Sequence, residues 1–526
     1  MSSAESQPLY AAREPIFPRR VKGFYRTLKW WVMAVTLGIY YLTPWLRWDR
    51  GPSLPDQAVL VDLANRRFYF FWIEIWPHEF YFVAGLLIMA GLGLFLFTSA
   101  LGRVWCGYTC PQTVWTDLFM LVERWIEGDR NARIRLHKAG WDLTKIRLRL
   151  TKWIAWLLIA VATGGAWVFY FADAPTLLRE LVTLNAPAVA YMTIGVLTAT
   201  TFIFGGFMRE QVCIYMCPWP RIQGAMMDPD TLTVGYRVWR GEPRAKGRKR
   251  RELPAEAAQI ATEQAARGRG APAYRSTPYP GMLRPSSDPT AAEEGLTAQD
   301  VVLNTGPGDC IDCMACVNVC PMGIDIRNGQ QLECITCALC IDACDEVMAK
   351  IGQPRGLIDY LALSDEPRER AGTPPRPIWQ HVLRLRTVIY TTLWAAIGLG
   401  LVFALFIRSD IGLTVAPVRN PTYVVMADGT VRNTYDLRLR NMTGAERDVR
   451  LSLRSDEILR IDVEGAAGNI VTVAPDSTTQ VRVYVTARPQ DPASGMDVVA
   501  LRFWVEDVNG EARAARDTIY NGRVIQ

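Results

Sequence analysis

Eight of the twelve cysteines fall within one 35-residue stretch, and no other feature constrains this chain so tightly. It reads Cys310-Ile-Asp-Cys313-Met-Ala-Cys316-Val-Asn-Val-Cys320-Pro321, then Cys334-Ile-Thr-Cys337-Ala-Leu-Cys340-Ile-Asp-Ala-Cys344-Asp345, so the C-x2-C-x2-C-x3-C spacing occurs twice. A four-cysteine zinc site also uses C-x2-C pairs. Four thiolates satisfy zinc, however, and that leaves no role for a duplicated third cysteine.

The spacing is that of ferredoxins carrying two [4Fe-4S] clusters, in which three cysteines of one run and the last of the other hold each cubane. By that rule Cys310, Cys313, Cys316 and Cys344 hold one cluster, and Cys334, Cys337, Cys340 and Cys320 hold the other. Asp345 stands after the second run where Pro321 stands after the first. Proline there shapes the backbone and is not a ligand, so ligation is unaffected. A bacterial-type 2[4Fe-4S] module is expected over residues 301–355, with short helices between the runs.

Half the residues are hydrophobic, and their distribution matters more than the average. Charge-free apolar runs occupy Trp30 to Leu46, Phe80 to Leu101, Trp153 to Ala172, Leu184 to Met208 and Thr387 to Ile407. Each is near the ~20 residues a helix needs to cross a bilayer, so five spans are expected. The first is the shortest and contains Pro44. Lysine and arginine crowd the tail of residues 1–27 and the loop from Arg103 to Arg149, whereas the loops after the first and third spans carry Asp49, Asp56, Asp62, Asp173 and Glu180. The positive-inside rule then puts the N-terminus and the ferredoxin module in the cytoplasm of a multi-pass inner-membrane protein, with the C-terminal domain in the periplasm. No cleavable signal peptide is apparent. Positive-inside flanking accounts for Arg19-Arg20, and the net charge of +6 calls for no nucleic-acid partner.

The other four cysteines form two C-x3-C-P units inside residues 28–239, a four-helix membrane core. They are Cys106-Gly-Tyr-Thr-Cys110-Pro111 and Cys213-Ile-Tyr-Met-Cys217-Pro218, each just beyond the cytoplasmic end of an even-numbered span. If the helix continues through the unit, i and i+4 put both sulfurs on one face. The repetition reads as an internal duplication with the pairs facing one another. Four converging thiols make a soft-metal site, suited to Cu(I), zinc or iron-sulfur iron. Met216, Met226 and Met227 read as packing, and His78 as an ordinary interfacial residue. All twelve cysteines lie on the inner side of this topology, in a reducing compartment that keeps thiols available to metals.

Residues 240–300 turn abruptly to Ala, Glu, Pro, Gly and Ser after the basic run Lys246 to Arg251, the composition of a disordered cytoplasmic linker. A connector over 356–386, containing His381 as part of its basic flank, leads into the fifth span at 387–408. Beyond it, in 409–526, apolar and polar residues alternate in Val431–Arg440, Arg447–Leu453 and Thr479–Thr486. About seven short strands without a disulfide suggest an immunoglobulin-like β-sandwich.

Taken together, Trp105-Cys-Gly-Tyr-Thr-Cys-Pro-Gln-Thr-Val-Trp115, Tyr215-Met-Cys-Pro218, the two ferredoxin runs and the outer sandwich resemble the CcoG family of cytochrome c oxidase accessory proteins, also called FixG or RdxA. The resemblance covers nearly the whole chain. It implies a membrane cupric reductase that supplies Cu(I) for assembly of cbb3-type cytochrome oxidase. Copper is then a substrate, handled by Cys106, Cys110, Cys213 and Cys217. Implied partners are oxidase assembly factors, copper transport or chaperone proteins, the lipid bilayer and an unidentified electron donor, with a homodimer allowed. Two alternatives stay open: a quinone-linked membrane ferredoxin relaying electrons to a partner, and a non-catalytic assembly scaffold or copper chaperone.

Overall fold

The computed structural model describes residues 15–51, 54–244 and 308–523. The expected basic tail up to residue 14 and nearly all of the expected 240–300 linker lie outside the described residues. The chain forms two compact units, Met1–Leu46 with Ala58–Gly398, and Arg47–Gln57 with Leu399–Gln526.

Among the described residues of the first unit, four helices are long and apolar enough to cross a membrane: Pro77–Leu101, Leu143–Val168, Ala188–Met208 and Leu385–Phe406. The chain is a membrane protein. The first expected span does not join them by length and composition. It is a helix at Phe24–Leu42, followed by a 3-10 turn at Thr43–Trp45 that contains Pro44. Its charge-free part, from Trp30 to Leu42, rises only about 20 Å at ~1.5 Å per residue. The charged part is built into protein: Arg26 and Lys29 are buried, and Arg26 Nη1 reaches Asp117 Oδ1 at 2.9 Å.

Asp117 belongs to the Pro111–Glu127 helix, whose buried face carries Asp117, Glu123 and Glu127. Three cations close on Glu123: Arg133, Arg209 and Lys152. Glu127 pairs with Arg149 at 3.0 Å and Lys152 at 2.9 Å. Buried carboxylates persist only with such partners, so these pairs tie three segments of the core to one helix. Burial alone would raise the Asp117 and Glu123 carboxyls. The neighbouring Lys29 and Arg26, and Arg209 and Arg133 respectively, outweigh it and hold both below the usual carboxylate range.

The ferredoxin segment is fastened to the same core. Asp342, in the Leu339–Lys350 helix, accepts from the backbone N–H of Arg26 at 2.7 Å and of Tyr25 at 3.3 Å. These are otherwise orphaned donors at the start of the Phe24–Leu42 helix. After the ferredoxin segment, Ile358–Leu361 pairs antiparallel with Thr233–Tyr236, and the chain passes into Leu385–Phe406. His381 is buried there with Nε2 2.7 Å from Asp365. His78 is exposed.

The second unit is the immunoglobulin-like sandwich, with nine strands among the described residues where about seven were expected. One sheet runs Arg460–Val463, Ser477–Ala487, Val431–Asn441, Ile411–Pro417, with Val424–Val425 also pairing Val431–Asn441. The other runs Ile470–Val473, Arg447–Ser455, Val499–Asp507, Arg513–Tyr520. Burial alternates residue by residue along Val431–Asn441, as the period-two pattern requires, and puts Leu437 and Leu439 in the core with Val483, Phe503 and Val505. Two tyrosines bind the sheets together: Tyr435 donates to the Ile519 carbonyl at 2.7 Å, and Tyr520 to that of Val431 at 2.9 Å.

Candidate functional site

Each ferredoxin run enters a short helix, Ala315–Val319 or Leu339–Lys350, through the same backbone device. The residues flanking the second cysteine of each run have positive φ: Asp312 at 52° and Met314 at 57°, then Thr336 at 50° and Ala338 at 60°. None is glycine, so each carries strain of order 1–3 kcal/mol. Alternating left-handed turns aim successive N–H groups into one concavity, a nest suited to an anion. Iron-sulfur clusters held by thiolates are such anions, and the backbone fits them.

The thiols of the two runs stand near one another, Cys316 beside Cys340 included. Cys316 is pushed up to about 11 by burial, with Cys313 and Cys310 adding to it against the opposing Arg327. Cys344 is raised by burial and then by Cys316 and Cys313. Burial lifts Cys320 to about 12, with Cys337 and Cys334 beside it, and Cys334 to about 11. Cys340 rises well above its usual value among Cys337, Cys334 and Cys320. Thiols so buried ionise only when a metal supplies positive charge. Cys316, Cys320, Cys334, Cys337 and Cys340 line one cavity, walled by Met322, Ile324 and Ile335. Among the described residues no three Cys, His, Asp or Glu side chains stand close enough to hold one ion.

The membrane cysteines depart from the i, i+4 expectation, because the helix does not continue through either unit. Cys106 lies in a short helix, Val104–Tyr108, and Cys110 is extended (φ −58°, ψ 128°) ahead of Pro111–Glu127. Cys213 lies in a π-helical turn, Val212–Met216, and Cys217 is likewise extended (φ −81°, ψ 124°) ahead of Pro218. Proline disfavours the helical conformation in the residue before it, which explains both breaks. The duplication is nonetheless visible in the backbone. Four residues before the first cysteine of each unit the chain turns left-handed, at Gly102 (φ 62°, ψ −126°) and at Arg209 (φ 39°, ψ −106°).

The two pairs converge. Burial pushes Cys106 up to about 11, opposed by the Arg103 guanidinium, with Cys110 and Cys217 as neighbours. Cys213 is pushed up to about 12 by burial and then by Cys110, Cys106 and Cys217. Each unit also holds the other. Gln112 Nε2 donates to the carbonyls of Phe204 at 2.9 Å and Arg209 at 3.2 Å, at the π-helical entry to the second unit. Gln223, buried in the helix after Cys217, contacts Cys106. Met216 is exposed, and Met227 packs beside Gly102.

This four-thiol group lies against the second ferredoxin run. A Cβ on Gly107 would stand 2.6 Å from the Ile335 carbonyl oxygen and 3.0 Å from Cys337 Cα, so only glycine fits between Cys106 and Cys110. Tyr108 Oη donates to the Cys337 carbonyl at 3.2 Å. Cys106, Cys213 and Ile214 pack into the cluster of Ile335, Cys337 and Leu339. Sequence reasoning did not find Arg103, Gly107, Gln112 or Gln223, whose roles depend on contacts across the fold.

Comparison with known proteins places these observations. A family described as a 4Fe-4S dicluster domain matches residues 208–269 and 284–363, and one described as a 4Fe-4S binding domain matches 82–129. The latter takes in Cys106 and Cys110 and none of the eight ferredoxin cysteines. Residues 401–523 match the IG-like fold at the C-terminal of FixG. Protein RdxB of Cereibacter sphaeroides is 61% identical over 99% of this chain and 100% of its own length. Protein RdxA of the same organism is 59% identical over 96% of each. The nitrogen fixation protein FixG of Rhizobium meliloti is 52% identical over 91% of this chain and 87% of its own. A crystal structure of a FixG-related protein from Vibrio parahaemolyticus, 17% identical, aligns with 22% of this chain and all of its own at a TM-score of 0.20.

Proposed function

The chain belongs to the FixG/RdxA family of membrane iron-sulfur electron-transfer proteins, and from that premise we propose that it is a cupric reductase serving assembly of cbb3-type cytochrome oxidase. Cys310, Cys313, Cys316 and Cys344 hold one [4Fe-4S] cluster, and Cys320, Cys334, Cys337 and Cys340 hold the other. Bound clusters supply single-electron transfer with little rearrangement. Cys106, Cys110, Cys213 and Cys217 receive copper, and thiolates favour its reduced form because they bind Cu(I) more strongly. In the transfer step one electron is lost by the donor and one gained by Cu(II); the thiols give up their protons to solvent as copper binds.

The single observation that carries this reading is the seating of Gly107 and Tyr108 on Cys337, which joins the four-thiol group to the second ferredoxin run without an intervening layer. Exposure supports a direction. Cys313 is exposed and the other eleven cysteines are not, so the first group faces a soluble donor and the second faces copper. Partners on this reading are that donor, copper transport or chaperone proteins, and oxidase assembly factors, with a homodimer consistent with it.

A fifth span and the expected orientation belong to the same reading. The Phe24–Leu42 helix contacts Asp117 and Asp342 at its start, and near its end Tyr40 donates to the Thr163 carbonyl at 2.7 Å while Tyr170 donates to that of Tyr40 at 3.0 Å. It therefore reaches from the Leu339–Lys350 helix at its start to the C-terminal part of the Leu143–Val168 helix at its end. Trp31, Val35, Ile39 and Leu42 form an exposed apolar stripe along it, suited to lipid. Five crossings put the ferredoxin segment in the cytoplasm and the sandwich in the periplasm.

The test is anaerobic. Reduced, cluster-loaded protein should form Cu(I), trapped by a coloured chelator, many times faster than the quadruple Cys→Ala variant at positions 106, 110, 213 and 217; equal rates refute the proposal. A second reading has one observation in its favour, the 4Fe-4S match over Cys106 and Cys110. There the four membrane cysteines hold a third cluster. Iron analysis separates the two, at about eight irons per chain for two cubanes and about twelve for three.

A further inference from the structure

Arg103 is a buried cation that no carboxylate pairs with among the described residues. It follows the left-handed Gly102, where a Cβ would come within 2.8 Å of Thr233 Cγ2, and this turn swings the chain from the membrane helix towards Cys106. The side chain is 3% exposed. Nη1 donates to the Leu332 carbonyl, two residues before Cys334. Nε is buried with no hydrogen-bond partner, and among the described residues no carboxylate pairs with it. An unpaired buried guanidinium is costly and persists where something else supplies negative charge. Around it are thiols: Cys106, Cys213 and Cys334 each feel its charge. The cation is not part of the duplicated scaffold, since the position after the second left-handed turn is Glu210.

We propose that Arg103 is a positioning residue that fixes one positive charge between the Cys320/Cys334/Cys337/Cys340 group and the Cys106/Cys213 pair, and thereby favours the electron-rich form of both. The inference rests on the reading that a cluster occupies the first of these groups. Each one-electron reduction adds one negative charge, whether at that cluster or at thiolate-held copper. A buried cation beside both stabilises the electron on either side, so it lowers the cost of transfer in a region without mobile counter-ions. Lysine keeps the charge but not the fork that reaches Leu332.

The experiment is an EPR-monitored redox titration of full-length, copper-free protein in nanodiscs, comparing the parent with Arg103→Met and Arg103→Lys. Arg103→Met should make one of the two clusters harder to reduce, by tenfold or more in its one-electron equilibrium, and leave the other within threefold. Arg103→Lys should recover most of the difference. Unchanged titration of both clusters in an iron-replete Arg103→Met protein overturns the proposal, as does an equal shift in both. Should Arg103→Met load iron poorly, Arg103→Gln against Arg103→Lys carries the same comparison, and no difference between them refutes it. Because no copper is present, a one-cluster shift in a protein that fails to reduce Cu(II) would leave the role of Arg103 standing and refute the copper reading alone.

Discussion

The thiol of Cys106 donates to Gln223 Oε1 at 3.1 Å, and Gln223 Nε2 donates in turn to Thr98 Oγ1 at 3.3 Å. A residue of the second cysteine unit thus orients the first cysteine of the other. The bond is made to the protonated thiol and so adds to the burial that already pushes Cys106 up to about 11. Gln223→Ala removes the acceptor and opens room for water. Cys106 in the metal-free protein should then alkylate several-fold faster at pH 8, by mass spectrometry of iodoacetamide-treated samples. An unchanged or slower rate would mean that the contact does not hold the proton.

What could be read from the sequence was local and periodic. The spacing of the cysteine runs marked the segment whose thiols the fold brings near one another, because a ligand set is encoded in intervals. Alternation along Val431–Asn441 likewise marked a strand with one face in a core. What escaped was set by contacts between distant segments. The apolar run from Trp30 to Leu46 did not mark where its helix begins, at Phe24, because Asp117 and Asp342 draw Arg26 and its backbone into the protein. The breaks at Cys110 and Cys217 were foreshadowed by the prolines after them. Arg209 in a left-handed turn was not, since nothing in a lone arginine signals it. Its backbone is held by Gln112 and its side chain by Glu123, 97 and 86 residues away.

The path of the Phe24–Leu42 helix makes a labelling prediction. Arg20 is exposed just before it, with its N–H on Asp129 at 3.0 Å, and Leu63 is 63% exposed beyond its other end. If the helix crosses the bilayer, a membrane-impermeant maleimide should label Leu63→Cys in intact spheroplasts and Arg20→Cys only after permeabilisation. Labelling of both from outside would show that the helix does not cross.

Gly107 sets how closely the four-thiol group approaches Cys337. A methyl there meets backbone on the facing side, at 2.6 Å from the Ile335 carbonyl oxygen, and backbone cannot rotate away as a side chain can. Gly107→Ala should therefore cost about 1–3 kcal/mol as an overpacked contact and pry the two groups apart. Copper reduction should fall at least tenfold while iron and sulfide content stay near parental. Gly165→Ala, where nothing lies within 4 Å, is the matched control and should lose neither. Parental reduction by Gly107→Ala would remove the close seating from the proposed route.

The buried carboxylates of the Pro111–Glu127 helix set the acid limit of the fold. Asp117 and Glu123 are held below their usual range by neighbouring cations, so the folded protein binds their protons more weakly than the unfolded chain does. Their contribution is fully present above the unfolded carboxylate value of about 4. It is lost progressively as pH falls through the lower folded values. Thermal stability of the detergent-solubilised protein should therefore hold from pH 7 to about 5 and decline steeply below about 4. Glu123→Gln should behave differently. At neutral pH it leaves Arg133 without its carboxylate and strips one partner each from Arg209 and Lys152, at a cost of about 3–5 kcal/mol as for a broken buried pair. Below pH 4, where the parent has begun to lose the same charge, the gap between the two should narrow. A gap that stays constant from pH 7 to pH 3.5 would show that Glu123 acts through packing and not through its charge.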